Sequence, residues 1–238
     1  MAERVIPLAP GVWRIPTFGR DLVNSFAFAD PDGTITLVDA GLRGATRRLT
    51  AALGELGRQP SDVARILVTH AHLDHVGSAR ALRSRTGARL HVHEDDAPYV
   101  RDGRPPPYGS PGPLARVLHF THKRQPGSPV DVTFVEGDVL PVAGGLRVLH
   151  TPGHSPGHCS FLHEPSGVLV TGDALFNFRS RLSYSMAYSC SDWKMSKDTA
   201  DRLGEVDYEI AAFTHGPEIR DGARQAVRSF LRRRLAGD

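Results

Sequence analysis

A layered α/β domain, sheet packed on sheet with helices outside, is the fold class this sequence predicts. Three observations predict it. Short β-like runs open the chain in hairpin order, later runs alternate with amphipathic helices, and four runs end in a threonine closely followed by His or Asp. Hairpin strands followed by strand–helix alternation point to a layered α/β architecture. At 238 residues, one domain spanning 1–238 is expected, long enough to bury about 70–75% of its unfolded surface.

The elements follow in order. Residues 11–15, 25–29 and 35–38 are β-like, and DPDG at 30–33 makes the hairpin turn between the last two. A helix is predicted over 43–57, with Leu49, Ala52, Leu53 and Leu56 on one face. Strands at 65–68 and 89–92 flank a helix over 75–86. Further strands are predicted at 132–135, 146–149, 159–162, 168–170 and 208–213. A last helix over 217–235 carries Ala223, Val227, Phe230 and Leu231 as its apolar stripe. Two segments stand apart. Residues 101–129 hold seven prolines and four glycines, an excursion of the kind that forms a lid, a binding loop or disorder. Residues 174–193 gather Phe176, Phe178, Tyr184, Met186, Tyr188 and Trp193 without strand or helix spacing.

Composition narrows the function classes. The net charge is +3, but the arginines are scattered among acids, and the cluster at 232–234 sits at the tail of a helix, where cations favour the dipole. No nucleic-acid partner is expected. The longest apolar runs are far too short to span a bilayer, and the N-terminus has no basic region followed by a long apolar stretch. A cytoplasmic protein with no membrane partner is therefore expected; oligomeric state is left open. Cys159 and Cys190 do not make a disulfide framework and read as buried or idle thiols.

The chemistry starts at VTHAHLDHVG, residues 68–77. His70, His72, Asp74 and His75 fall within six residues, a pattern expected by chance in roughly two chains per thousand of this composition. Imidazole and carboxylate are standard ligands of first-row metals. Alternation would put His70 and His72 on one side, one pleat apart, with Asp74 and His75 facing the same pocket from the next helix. Gly77 would keep that turn compact. The other strand ends supply more donors: VLHTPGH ends at His154, VLVTGD at Asp173 and AAFTH at His215. Sites in layered α/β proteins gather at the carboxyl ends of strands. Five histidines and two aspartates are too many for one tetrahedral ion, and suit two ions with one bridging carboxylate.

Taken together, these motifs resemble the metallo-β-lactamase-fold superfamily of hydrolases. THAHLDH is similar to its H-x-H-x-D-H signature, TPGHSPGH to its second motif, TGD to its bridging aspartate, FTHGPE to its final histidine and LVDAG, 37–41, to its early strand end. The resemblance runs from about residue 12 to 230. It implies an αββα sandwich, two mixed β-sheets face to face, with the site along one edge. It also implies that His70, His72 and His154 hold one metal, that Asp74, His75 and His215 hold another, and that Asp173 bridges them. Asp39 would orient a ligand imidazole, as such ligands require, unless it is an ordinary turn aspartate.

The implied reaction is hydrolysis by a hydroxide shared between two cations, zinc with iron or manganese as alternatives. Asp74 would ligate metal and orient the nucleophile, and the substrate would be a small ester, thioester, lactone or lactam. The resemblance also implies a second reading, a mono-iron persulfide dioxygenase of the same fold. Phe176 stands where lactonases of the family place a tyrosine, which weakens a lactonase assignment; Tyr184 or Tyr188 could substitute. Phe176, Tyr184 and Tyr188 are the expected substrate-binding residues in a partly apolar pocket.

Overall fold

A computed structural model describes residues 5–109 and 126–235. Seven strands form the first sheet in chain order: β1 (Ile6–Ala9), β2 (Val12–Phe18), β3 (Val23–Ala29), β4 (Ile35–Val38), β5 (Val63–Val68), β6 (Arg89–His93) and β7 (Val132–Phe134). β1 to β4 pair antiparallel, and β4 to β7 run parallel. The DPDG turn joins β3 to β4, with Gly33 at φ +90, a conformation glycine adopts at little cost. The second sheet contains β8 (Val139–Leu140), β9 (Leu146–His150), β10 (Cys159–His163), β11 (Val168–Val170) and, parallel to β11, β14 (Ile210–Ala212). A separate hairpin, β12 (Leu175–Phe178) with β13 (Arg181–Tyr184), lies beyond β11.

Strand alternation divides the apolar residues into three layers. Phe26, Phe28 and Leu67 of the first sheet meet Val148, Phe161 and Val170 of the second in the central core. On the outer face of the first sheet, Leu37, Ile66 and Val68 pack against Leu49 and Leu53 of α1 (Thr46–Glu55), Leu82 of α3 (Ala79–Thr86) and Ala97 and Val100 of α4 (Ala97–Asp102). Outside the second sheet, Leu162, Leu169 and Phe213 meet Ala200 of α5 (Trp193–Ala200) and Val227 and Leu231 of α6 (Ala223–Leu235). Each fully buried Phe or Leu contributes about 1.5–3 kcal/mol. The result is the helix–sheet–sheet–helix order expected from the sequence.

Two expected elements differ. The helix over 75–86 is interrupted: α2 (Leu73–Val76) is one turn, and α3 begins after Ser78. Gly77 fills the break because the chain passes close by, and a Cβ there would collide with the backbone of Leu73 and Arg43. The aromatic segment 174–193, read as irregular, contains the β12–β13 hairpin, whose turn residues Arg179 and Ser180 both take positive φ.

Candidate metal centre

All seven motif residues meet where the strands of both sheets end. His70 and His72 lie in the loop after β5, Asp74 and His75 on α2, and His154 between β9 and β10. Asp173 lies in the turn after β11, and His215 just past β14. The side shared by His70 and His72 does not come from strand pleating. β5 ends at Val68, so the loop that follows it does the placing.

The donors sort into two trios. His70, His72 and His154 present ligand atoms within 4.8 Å of one another, and so do Asp74, His75 and His215. Asp173 lies between them with one oxygen toward each. Its Oδ2 is 3.2 Å from His154 Nε2 and 3.9 Å from His70 Nε2. Its Oδ1 is 3.4 Å from His75 Nε2 and 3.3 Å from His215 Nε2. Asp74 Oδ2 closes the second trio at 3.4 Å from His215 Nε2 and 3.6 Å from His75 Nε2. Ligands around a tetrahedral zinc-like ion stand about 3.3 Å apart, so most of these spacings fit one ion in each trio.

The surroundings fix which nitrogen faces inward. Asp39 Oδ2 accepts from His75 Nδ1 at 2.8 Å, and the same carboxylate accepts from the Thr69 backbone N–H and hydroxyl. Thr69 Oγ1 in turn accepts from His70 Nδ1 at 3.1 Å. His215 Nδ1 donates to the Leu22 carbonyl. With the outer nitrogens so held, the Nε2 atoms of His70, His75 and His215 turn toward the centre. His70, kept neutral by burial, presents its Nε2 lone pair there without a hydrogen-bond partner among the described residues. A buried acceptor left unpaired costs about 1–3 kcal/mol, a cost that a bound cation removes. The donor set therefore fits a pair of divalent ions.

Asp173 is itself held. Thr214 Oγ1 donates to its Oδ1 at 2.7 Å, and its backbone N–H donates to His158 Nε2 at 2.7 Å. His158 Nδ1 donates to the Thr151 carbonyl. Burial lowers the His158 pKa to about 3, so it stays a neutral acceptor. Strand-end threonines thus place ligands as well as precede them.

Burial and neighbouring imidazoles push His70 and His72 well below the usual histidine range. Burial also opposes charge on His154 and His215, but Asp173 outweighs it and holds them at about 9 and about 10. The same balance, with Asp74, Asp173 and Asp39 outweighing burial, holds His75 well above its ordinary value. Asp74 and Asp173 remain ionised: burial works against their charge, yet the surrounding histidines prevail.

Three residues that carry no motif bear on the site. Asp96, fully buried, accepts from the Ala71 backbone N–H at 2.7 Å and from Ser155 Oγ at 2.6 Å through Oδ2, and from Gly157 N–H at 2.7 Å through Oδ1. It clamps the loop of His70 and His72 to the loop of His154. Asp96→Ala would strand three buried donors. We expect a loss of about 3 kcal/mol in thermal unfolding and a 10–100-fold weaker zinc affinity by chelator competition. Unchanged values in both assays would remove the clamp. Cys190, read as an idle thiol, has its Sγ 3.5 Å from His154 Nδ1 and backs that ligand. Tyr108 stacks on His72 at 5.5 Å between ring centroids. No spacing rule marks any of the three, because each acts through a loop contact.

A cavity of about 180 Å³ opens over the centre, walled by Tyr108, Phe176, Phe178, Met186 and Tyr188. The Phe176 ring lies 4.7 Å from that of His215. Tyr184 does not reach this cavity. Its ring packs 4.9 Å from Phe230 of α6, because β13 turns it toward the outer helix layer. The excursion 101–129 meets the site through its first residues, where Gly109 N–H donates to the Cys190 carbonyl and Ser191 Oγ to that of Pro107. Residues 110–125 lie outside the described residues.

Comparison with known proteins identifies the family. The family model described as Metallo-beta-lactamase superfamily matches residues 18–215. The chain is 34% identical over 214 residues to the uncharacterized protein ML0493 of Mycobacterium leprae, covering 87% of this chain and 93% of that one. It is 30% identical over 148 residues to the hydroxyacylglutathione hydrolase GloC of Haemophilus influenzae, covering 62% of this chain and 64% of that one. Among solved structures, the metallo-beta-lactamase family protein TTHA1429 from Thermus thermophilus superposes with a TM-score of 0.69 at 28% identity, covering 97% of this chain and 81% of that one. The chain is a metallo-hydrolase and belongs to the metallo-beta-lactamase superfamily.

Proposed function

We propose that the protein hydrolyses a small acyl-type substrate, an ester, thioester, lactone or lactam, at a centre built for two divalent cations. His70, His72 and His154 would hold one ion, Asp74, His75 and His215 the other, and Asp173 both. The observation that carries this reading is the split of the Asp173 carboxylate, one oxygen toward each trio. Zinc suits the donors best, and iron or manganese also accept them. Bound there, such a pair supplies Lewis acidity that makes water nucleophilic near neutral pH and polarises an acyl carbonyl.

The chain's own residues do the remainder. Asp74 keeps its charge and exposes part of its carboxylate to the cavity, where it can orient an incoming water and hold its proton. Asp39 fixes the His75 ring, so that the second trio is organised before substrate arrives. The aromatic walls exclude water and favour an apolar acyl or leaving group. Phe176 offers no hydroxyl at the rim, so Tyr188 and Tyr108 are the phenols that can meet a polar substrate group. The relative named a hydroxyacylglutathione hydrolase supports including acyl thioesters in the substrate class.

Metal loading should release protons. His154 and His215, at about 9 and about 10 in the metal-free protein, are protonated at pH 8 and must lose those protons to ligate. Apparent affinity should therefore rise with pH until both are neutral, and fall as pH drops. Zinc titration calorimetry at pH 8 in buffers of different ionisation enthalpy should show more than one proton released per chain; buffer-independent heats would refute this.

Elemental analysis of protein purified without chelator, followed by a lactone, thioester and β-lactam panel, tests the function. At least two metal equivalents per chain and turnover of an acyl substrate are expected. One iron per chain, with oxygen uptake on glutathione persulfide and no hydrolysis, would replace this reading with the dioxygenase one.

A further inference from the structure

We infer that His93, Asp95 and His150 form a second, separate metal site, for a zinc-type divalent transition ion, at the rim where β6 and β9 end. Nothing in the proposed reaction uses these three residues. Their ligand atoms lie within 4.8 Å of one another. His93 is the last residue of β6, in the first sheet, and His150 the last of β9, in the second. The two rings stack, with centroids 4.1 Å apart and planes 18° from parallel; because imidazole lone pairs lie in the ring planes, an ion shared by both requires the partly exposed His150 ring to tilt out of the stack.

The donor chemistry supports a ligand role. His150 Nε2 donates to the Pro156 carbonyl at 2.9 Å, leaving Nδ1 as its lone-pair nitrogen. A ring nitrogen tied to a carbonyl while the other is free is the arrangement that metal-binding histidines require. His93 Nδ1 is likewise an acceptor, receiving the Asp95 backbone N–H at 3.3 Å, a long bond that a cation can displace. Asp95 Oδ2 lies 3.7 Å from that nitrogen and, among the described residues, meets no Lys or Arg. Burial, then the neighbouring His150, lowers the His93 pKa to about 4, so it is a neutral donor near pH 7. Glu136 and Asp138 add negative potential, Glu136 accepting the His150 backbone N–H while paired with Arg202. Two imidazoles and a carboxylate suit zinc, cobalt, nickel or copper better than magnesium or calcium.

Position gives the site its consequence. Asp95 precedes Asp96, the clamp on the loop of His70 and His72, and His150 is tied to Pro156 in the loop of His154. An ion joining His93, Asp95 and His150 would link the two sheets where both ligand loops depart.

The test counts zinc in the full chain. Chelator-stripped wild type should bind three equivalents, and His150→Ala and Asp95→Asn two each; both residues are partly exposed, so neither change opens the core. His72→Ala/Asp173→Ala/His215→Ala, which takes donors from both trios, should retain one equivalent and lose it when His150→Ala is added. Cobalt substituted into this triple variant should show a tetrahedral absorption band that His150→Ala abolishes. Equal zinc counts in wild type, His150→Ala and Asp95→Asn would overturn the site while leaving the proposed hydrolase untouched. No bound zinc in the triple variant would overturn it as well.

Discussion

Asp173→Ala is expected to lower kcat/KM for any acyl substrate by about a thousand-fold, equal to roughly 4 kcal/mol of lost transition-state stabilisation. The reason is geometric. Among the described residues, Asp173 is the one whose oxygens face both trios, and it receives the Thr214 hydroxyl and rests on His158 through its backbone. Removing it would take the proposed shared donor from both trios and a negative charge from between them, so His154 and His215 would lose the partner that most favours their protonated forms. Metal content should fall with activity. Asp173→Asn, which keeps the volume and one acceptor oxygen, should recover folding without recovering turnover. Activity within tenfold of wild type and full metal in Asp173→Ala would show that the carboxylate does not bridge.

His72→Ala should be nearly as severe, with a different signature. His72 Nδ1 lies 2.8 Å from His154 Nε2, so its loss opens the first trio and leaves the second intact. Metal analysis should show about one fewer equivalent, and turnover should drop by at least about a hundred-fold, the cost of losing one electrostatic catalyst of the developing oxyanion. Because Tyr108 stacks on the same ring, the variant should also loosen the cavity wall and raise KM for apolar substrates. Wild-type metal content with unchanged kcat would place His72 outside the ligand set.

Much of this candidate site was legible in the sequence because each of its motifs begins just past a strand end. β5, β11 and β14 stop at Val68, Val170 and Ala212, and residues that follow as closely as His70, Asp173 and His215 have little choice about which rim they reach. The layered fold was legible for a related reason: period-two burial in β5 divides Leu67 from Ile66 and Val68, and that split dictates one sheet face against another sheet and one against helices. What escaped depends on contacts between loops. Asp96 looks like any helix-start aspartate until three donors from two distant loops arrive at its carboxylate. Cys190 backs His154 across 36 positions of chain. Tyr184 and Tyr188 looked equivalent in sequence, yet the β12–β13 hairpin turns one to Phe230 and leaves the other at the cavity. The break between α2 and α3 was hidden for the same reason, since close passage of Arg43, not local propensity, demands Gly77 there.

The most direct measurement is anomalous diffraction at the zinc edge from crystals of the loaded protein. The account predicts two peaks in this centre, one among His70, His72 and His154 and one among Asp74, His75 and His215, with the Asp173 carboxylate between them. A lone peak there, or His154 or His215 turned away from the ions, would contradict it.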